Sequence, residues 1–270
     1  LGTGFLLIIL GLLGILKIKV GQKSLLIIIL FFASFFSINY FSLEFKNVIY
    51  SNDSLYQKIT IYNDFYKGKP ARFLLQDRNS SAAAFFDSDE LVYEYTKYYI
   101  LYQIFNSDVK EALMIGGGAY SVPKDALKKL PNASIDVVEI DPLLFDLSKQ
   151  YFRVPDNPRL HNFVQDGRRF LHDTNKKYDL IFSDAYSSFY SMPEHLATQE
   201  FLKMVKEKLN SNGVFIANVI GGLSKKPESF AFSEMKTFKS VFGNSYFLAV
   251  DSPNSAKIQN LIFVGYKGDQ

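Results

Sequence analysis

Three carboxylates and a run of glycines recur along the middle of the chain, each just past a short apolar stretch. Gly116, Gly117 and Gly118 follow residues 112–115; Glu139 lies at the end of 135–140; Asp166 and Asp184 follow 160–164 and 178–183. Glycines lack Cβ atoms, so backbone there can turn tightly and approach a ligand closely. An acid about 20 residues beyond such a turn can accept both hydroxyls of a ribose. Asp166-Gly167 is placed to accept from the exocyclic amine of adenine, and Ile140 lies beside the ribose acid. A nicotinamide dinucleotide would share that acid but calls for Gly-x-Gly-x-x-Gly, which carries a pyrophosphate over a helix N-terminus. Here Tyr120-Ser121-Val122 occupies the third-glycine region and Pro123 opens the helix, which suits an adenosyl sulfonium without phosphate better. Asp184, in Phe182-Ser-Asp-Ala-Tyr-Ser187, would stand beside that sulfonium, where a carboxylate attracts a cation and takes a proton from an amine. Each acid also has a plainer use: a surface charge for Glu139, a helix cap for Asp166 before Arg168-Arg169, a turn cap for Asp184. All three plain uses together would be a coincidence.

These residues need a frame in which strand ends converge. Residues 48–86 read as a small antiparallel β unit, with Ile59 and Ile61 on one face of a strand and Lys58 and Thr60 on the other. Residues 89–105 read as one aromatic-rich amphipathic helix, with Asp89 and Glu90 in its first turn. Beyond them strands alternate with helices: strands at 112–115, 135–140, 160–164, 178–183 and 213–219, helices near 122–130, 142–151, 195–209 and 228–241. Strands at 245–250 and 261–266 close the set. That alternation implies a parallel sheet covered on both faces, and in such a sheet ligands bind at the carboxyl ends of the strands. The expected fold is α/β, a Rossmann-like methyltransferase-type seven-stranded sheet behind a small N-terminal antiparallel β unit.

The first 41 residues belong to another regime. Residues 1–16 and 24–41 carry no charge, and Lys17, Lys19 and Lys23 lie between them. A bilayer-crossing helix needs about 20 apolar residues, and neither run shows the polar face of a soluble core helix. The expected organisation is two transmembrane helices over 1–41, a β domain over 42–88 and a nucleoside-binding catalytic domain over 89–270. The chain begins with Leu1, so a longer N-terminus is expected. Counting lysines alone puts the short loop inside and the remainder outside, but helices upstream would override so weak a rule. The expectation adopted is a multi-pass membrane protein with a cytoplasmic catalytic domain. A net charge of +3 is too small to argue for nucleic acid, and the absence of cysteine excludes disulfides and thiolate metal sites. His161, His172 and His195 share no ligand spacing, so no metal is expected. His195 either lines the crevice beyond Asp184 or starts a helix.

Val138-Glu-Ile-Asp-Pro142, Asp166-Gly-Arg-Arg-Phe-Leu171, Tyr178-Asp-Leu-Ile-Phe-Ser-Asp184 and Pro193-Glu-His-Leu-Ala-Thr-Gln-Glu-Phe201 resemble the spermidine synthase family, more closely its membrane-fused branch. The resemblance runs from about residue 54 to the end. It implies aminopropyl transfer from decarboxylated S-adenosylmethionine to a small-molecule amine. It also implies that Gln57 contacts the nucleoside, Glu139 the ribose and Asp166 the adenine amine, with Asp184 as base and Tyr93 gripping the acceptor. The family's Gly-Gly-Gly-Asp-Gly-Gly is here Gly-Gly-Gly-Ala-Tyr-Ser, so the acid at Ala119 is gone. Its Asp-Ser-Ser-Asp is here Asp184-Ala-Tyr-Ser187, so the second acid is gone as well. Tyr93-Glu94 replaces Tyr-Gln and would restore one charge; Tyr186 joins the acceptor side. Fewer acids disfavour an extended diammonium such as putrescine, since an unpaired buried charge is costly. Intact S-adenosylmethionine in a methyltransferase, and a polyamine- or nucleoside-sensing domain coupled to the membrane, remain open as alternatives. The expected partners are the amine and the lipid bilayer, with a homodimer as an admissible assembly.

Overall fold

The computed structural model describes residues 47–77, 79–186, 192–223 and 230–268. Both predicted membrane spans lie outside these residues; among those described, no helix is long and apolar enough to cross a membrane.

The β unit is a four-stranded antiparallel sheet, β1 (Val48–Asp53), β2 (Lys58–Tyr66), β3 (Lys69–Gln76) and β4 (Asn79–Phe85), in sequential order. Ile59 and Ile61 are fully buried with Leu74, Leu144, Leu147 and Phe152, which seats this sheet on the helical layer of the larger one. Thr60, expected on a solvent face, is buried too: Tyr62 stacks on Phe73 beside it, and its hydroxyl meets Ser51 Oγ at 3.2 Å.

The predicted helix over 89–105 is shorter and broken: α1 (Glu94–Lys97), a 3₁₀ turn (Tyr98–Leu101) and α2 (Tyr102–Phe105). Leu91 forms a bridge with Ala84 instead, and Tyr93 is extended. Asp89 is therefore not a first-turn acid. It binds Lys124 (3.0 Å), Lys128 and Arg153 (3.2 Å), and the two lysines hold its carboxyl down at about 2.

The seven-stranded sheet runs β10-β11-β9-β8-β5-β6-β7. It comprises β5 (Glu111–Ile115), β6 (Ser134–Glu139), β7 (Leu160–Val164), β8 (Tyr178–Ser183), β9 (Leu209–Gly222), β10 (Asn244–Ala249) and β11 (Ile258–Tyr266). β5 to β9 pair in parallel, whereas β11 and β10 are antiparallel additions. The covering helices are α3 (Ser121–Lys129), α4 (Leu143–Phe152), α5 (Gly167–Asp173), α6 (Gln199–Lys208) and α7 (Phe230–Val241). The chain proceeds from β5 to β6 and β7 on one side, then crosses to β8 and β9 on the other. The strand order reverses between β5 and β8, which is where a doubly wound sheet opens a crevice.

Candidate active site

A crevice of about 650 Å³ opens at that reversal, within the usual range for small-molecule sites. The glycine turn forms one wall. Gly116 has φ +92°, and a Cβ there would lie 2.4 Å from the backbone oxygen of Asp184, because Asp184 N–H bonds Ile115 O at 2.8 Å. Gly118 is also left-handed, at φ +52°. A side chain at Gly116 would push the Asp184 backbone away from the glycine turn, so this glycine couples the two walls of the crevice.

Glu139 is buried at the end of β6, and its carboxylate is held by backbone. Oε2 accepts from Gly117 N (2.8 Å) and Gly118 N (3.1 Å), and Oε1 accepts from Asp141 N (3.0 Å). Oε2 is thereby filled, whereas Oε1 keeps one accepting site, and Glu139 lines the crevice. Ile140, 39% exposed, offers an apolar face next to it. Asp166 serves both of its foreseen uses of position. It caps α5 by accepting Arg169 N at 2.9 Å, and it lines the crevice with Gly167. Its second oxygen meets His195 Nε2 at 2.8 Å. His195 belongs to a 3₁₀ turn (Glu194–Leu196) and lines the crevice, whereas the helix expected to start there begins at Gln199 with Thr198 as its cap. Gln57 reaches the same crevice from the β unit, its turn closed by Ser54 N to Gln57 O at 2.8 Å.

Asp184 is half-buried at the opposite wall. Oδ1 accepts from Asn218 Nδ2 at 2.8 Å, and Tyr95 donates its hydroxyl to the same carboxylate. Burial raises the Asp184 carboxyl above its ordinary value, and these two donors offset part of that rise. Asn218 is in turn held by Asn260 Nδ2 at 2.9 Å. Tyr186 donates to Asn218 O (2.9 Å) and accepts from Ile220 N (2.8 Å), and burial together with the Asp184 charge pushes its phenol well up.

On the acceptor side one expectation changes. Glu94 does not line the crevice. Its carboxylate turns outward to Lys97 (3.3 Å) and Lys67 (3.6 Å) at half exposure, because the helix starts at Glu94 itself. It therefore restores no charge to the acceptor. Tyr93 does line the crevice, but its hydroxyl is paired with Ser80 Oγ at 2.5 Å and its ring stacks on Tyr95 at 6.1 Å. Burial pushes its phenol up to about 12. Ala119 is 2% exposed and packs with Ile59, Leu74 and Leu144 rather than lining the crevice, so a carboxylate restored there would have to be buried. Ser187 lies outside the described residues. Among those described, no cluster of three metal-ligating side chains occurs.

Sequence reasoning missed Tyr95, Asn218 and Glu234. Asn218 lies inside β9 but one residue past Ala217, the last of that strand to pair with β8, which sets it level with Asp184. Tyr95 is reached only through the broken helix. Glu234, on α7, has its carboxyl pushed up to about 7 by burial alone, and it acts electrostatically on Tyr186.

The sequence profile of the Spermine/spermidine synthase domain matches residues 85–258. This chain belongs to that family. It is 32% identical over 218 residues to the polyamine aminopropyltransferase of Vibrio vulnificus (strain CMCP6), covering 76% of this chain and 69% of the relative. It is 33% identical over 148 residues to a probable polyamine aminopropyl transferase of Bifidobacterium longum (strain NCC 2705), covering 55% of this chain but 32% of that longer protein. Solved structures share the fold. A probable spermidine synthase from Corynebacterium glutamicum ATCC 13032 superposes with TM-score 0.70 at 20% identity, covering 82% of this chain and 81% of that one. A spermidine synthase in complex with the transition state analogue AdoDATO gives 0.64 at 20% identity, covering 83% and 75%. Human Methyltransferase-like protein 13 in complex with SAH gives 0.54 at 24% identity, covering 64% and 82%, which marks the larger sheet as the methyltransferase-type Rossmann variant.

Proposed function

We propose that this chain transfers an aminopropyl group from decarboxylated S-adenosylmethionine to a small amine, with Asp184 as the base. The observation that carries the reading is one carboxylate, raised by burial and held by Tyr95 and Asn218, facing a crevice whose other wall bears Glu139 and Asp166. The co-substrate supplies a sulfonium whose neighbouring carbon accepts the amine nitrogen, the C–S electron pair leaving with sulfur as neutral methylthioadenosine. Gln57, Glu139, Ile140, Asp166 and Gly167 would hold the nucleoside, and Gly116 to Gly118 leave room for it. Asp184 would draw in the amine and take its proton as the C–N bond forms. Tyr186, Tyr93 and Tyr95, whose hydroxyls are already paired, would supply ring faces around the amine's alkyl body. Positioning two substrates accounts for much of the expected acceleration. The test is turnover of the full chain with decarboxylated and with intact S-adenosylmethionine against a panel of amines. Methylthioadenosine from the decarboxylated form supports the proposal; S-adenosylhomocysteine from the intact form alone would replace it with methyl transfer.

We infer further that the chain belongs to the membrane-fused branch, with residues 1–41 anchoring it in the bilayer and the catalytic part facing the cytoplasm. The two uncharged runs support the anchoring. Recovery of the full chain in the aqueous supernatant after membrane sedimentation would overturn it.

A further inference from the structure

We propose that His195 is a positioning residue that sets the purine selectivity of the nucleoside site by fixing the carboxylate of Asp166. The inference rests on the nucleoside reading above and adds to it a residue that the acids alone do not reveal. Asp166 is anchored at both oxygens: Oδ1 by the Arg169 amide at 2.9 Å, and Oδ2 by His195 Nε2 at 2.8 Å. The first anchor belongs to the helix cap and comes with the fold. The second depends on one side chain from a different segment.

That segment is itself held. Arg168 Nη1 donates to His195 O at 2.9 Å and to Thr198 Oγ1 at 3.2 Å, and Thr198 caps α6 by accepting Phe201 N. Leu196, the next residue, is buried in the core beneath the sheet. The imidazole therefore comes from a fixed backbone and approaches Asp166 from one direction. With one lone pair on each oxygen occupied, those that remain point in set directions, and an incoming N–H is accepted only where they point.

The consequence is selectivity. A 6-amino purine donates to such a carboxylate, whereas a 6-oxo purine presents an acceptor to it and is repelled. A carboxylate released on one side can rotate to relieve that repulsion and then discriminates less. The pair has little to do with folding, since both side chains are substantially exposed, at 48% and 33%, and exposed pairs contribute little stability.

The experiment measures, by calorimetry on the full chain, the affinities for 5′-methylthioadenosine and for its 6-oxo counterpart, 5′-methylthioinosine. The parent protein should favour the adenine form. His195→Ala should cut that preference about tenfold, by weakening the adenine form and strengthening the 6-oxo form. His195→Gln, whose amide N–H extends about as far as Nε2, should restore most of the preference. Equal weakening of both ligands in His195→Ala would reveal a merely structural role, and unchanged selectivity would reveal none; either overturns the proposal. A parent protein that binds neither nucleoside would remove the reading beneath it and the proposal with it, an outcome distinct from both.

Discussion

On the wall of the crevice proposed to hold the nucleoside, Glu139 is tied wholly to the backbone, accepting from Gly117, Gly118 and Asp141. Asp166 is tied through one oxygen to the Arg169 amide, while the other meets His195. On the acceptor side the Asp184 carboxylate is met by side chains, Asn218 and Tyr95, in a setting that burial makes unfavourable for charge. Backbone N–H groups cannot be repositioned by a rotamer change. A carboxylate so held is suited to accept hydrogen bonds in fixed directions. One held by side chains and raised by burial is suited to take a proton and to be tuned by its neighbours. The two halves therefore separate binding from chemistry, and substitutions should split along that line.

The largest effect expected is that of Asp184→Asn. The amide keeps the shape but cannot take a proton, so turnover should fall by about 10²–10⁴ while methylthioadenosine affinity stays close to that of the parent. Parallel loss of both in kinetics and calorimetry would mean that the halves are not separable.

Glu139→Ala should do the reverse. It removes charged hydrogen bonds worth about 1.5–3 kcal/mol each to the ribose and frees the amides of the glycine turn, so nucleoside affinity should drop about tenfold or more. An unchanged Kd for methylthioadenosine would show that the ribose lies elsewhere.

Tyr95→Phe sharpens the comparison through pH. The Tyr95 hydrogen bond holds the Asp184 carboxyl lower than burial alone would leave it. Without it the carboxyl rises further, so a higher pH is needed to keep the base ionised. The acid limb of the kcat/KM profile should move to higher pH, with a several-fold loss on that limb and recovery above it. An unmoved limb would separate Tyr95 from the base.

Glu94→Gln should do least. Its partners Lys67 and Lys97 are surface cations, and such pairs contribute at most about 1 kcal/mol to stability. Turnover should match the parent in the same assay; a marked rise in KM for the amine would bring Glu94 back to the acceptor.

What could be read from the chain by itself is what local periodicity and strand ends encode. The alternation of strand and helix, the glycine turn, and the acids at three successive strand ends are local patterns whose consequence follows from one rule about parallel sheets. Gly116, Glu139, Asp166 and Asp184 accordingly meet at one crevice. The acceptor half was less legible because its contacts join segments far apart in sequence. Tyr95 reaches Asp184 only because Leu91 bridges to Ala84 and delays the helix, a competition between pairing and helix propensity that residues 89–105 alone do not disclose. The same delay turns Glu94 outward, and Ala119 is taken up by the β unit packed against it. His195 meets Asp166 across 29 positions of chain. Such pairings are set by packing, where the burial of Leu196 and Ala119 outweighs any local preference. The chain by itself thus marked which acids line the crevice, and the tertiary structure decided which side chains surround Asp184.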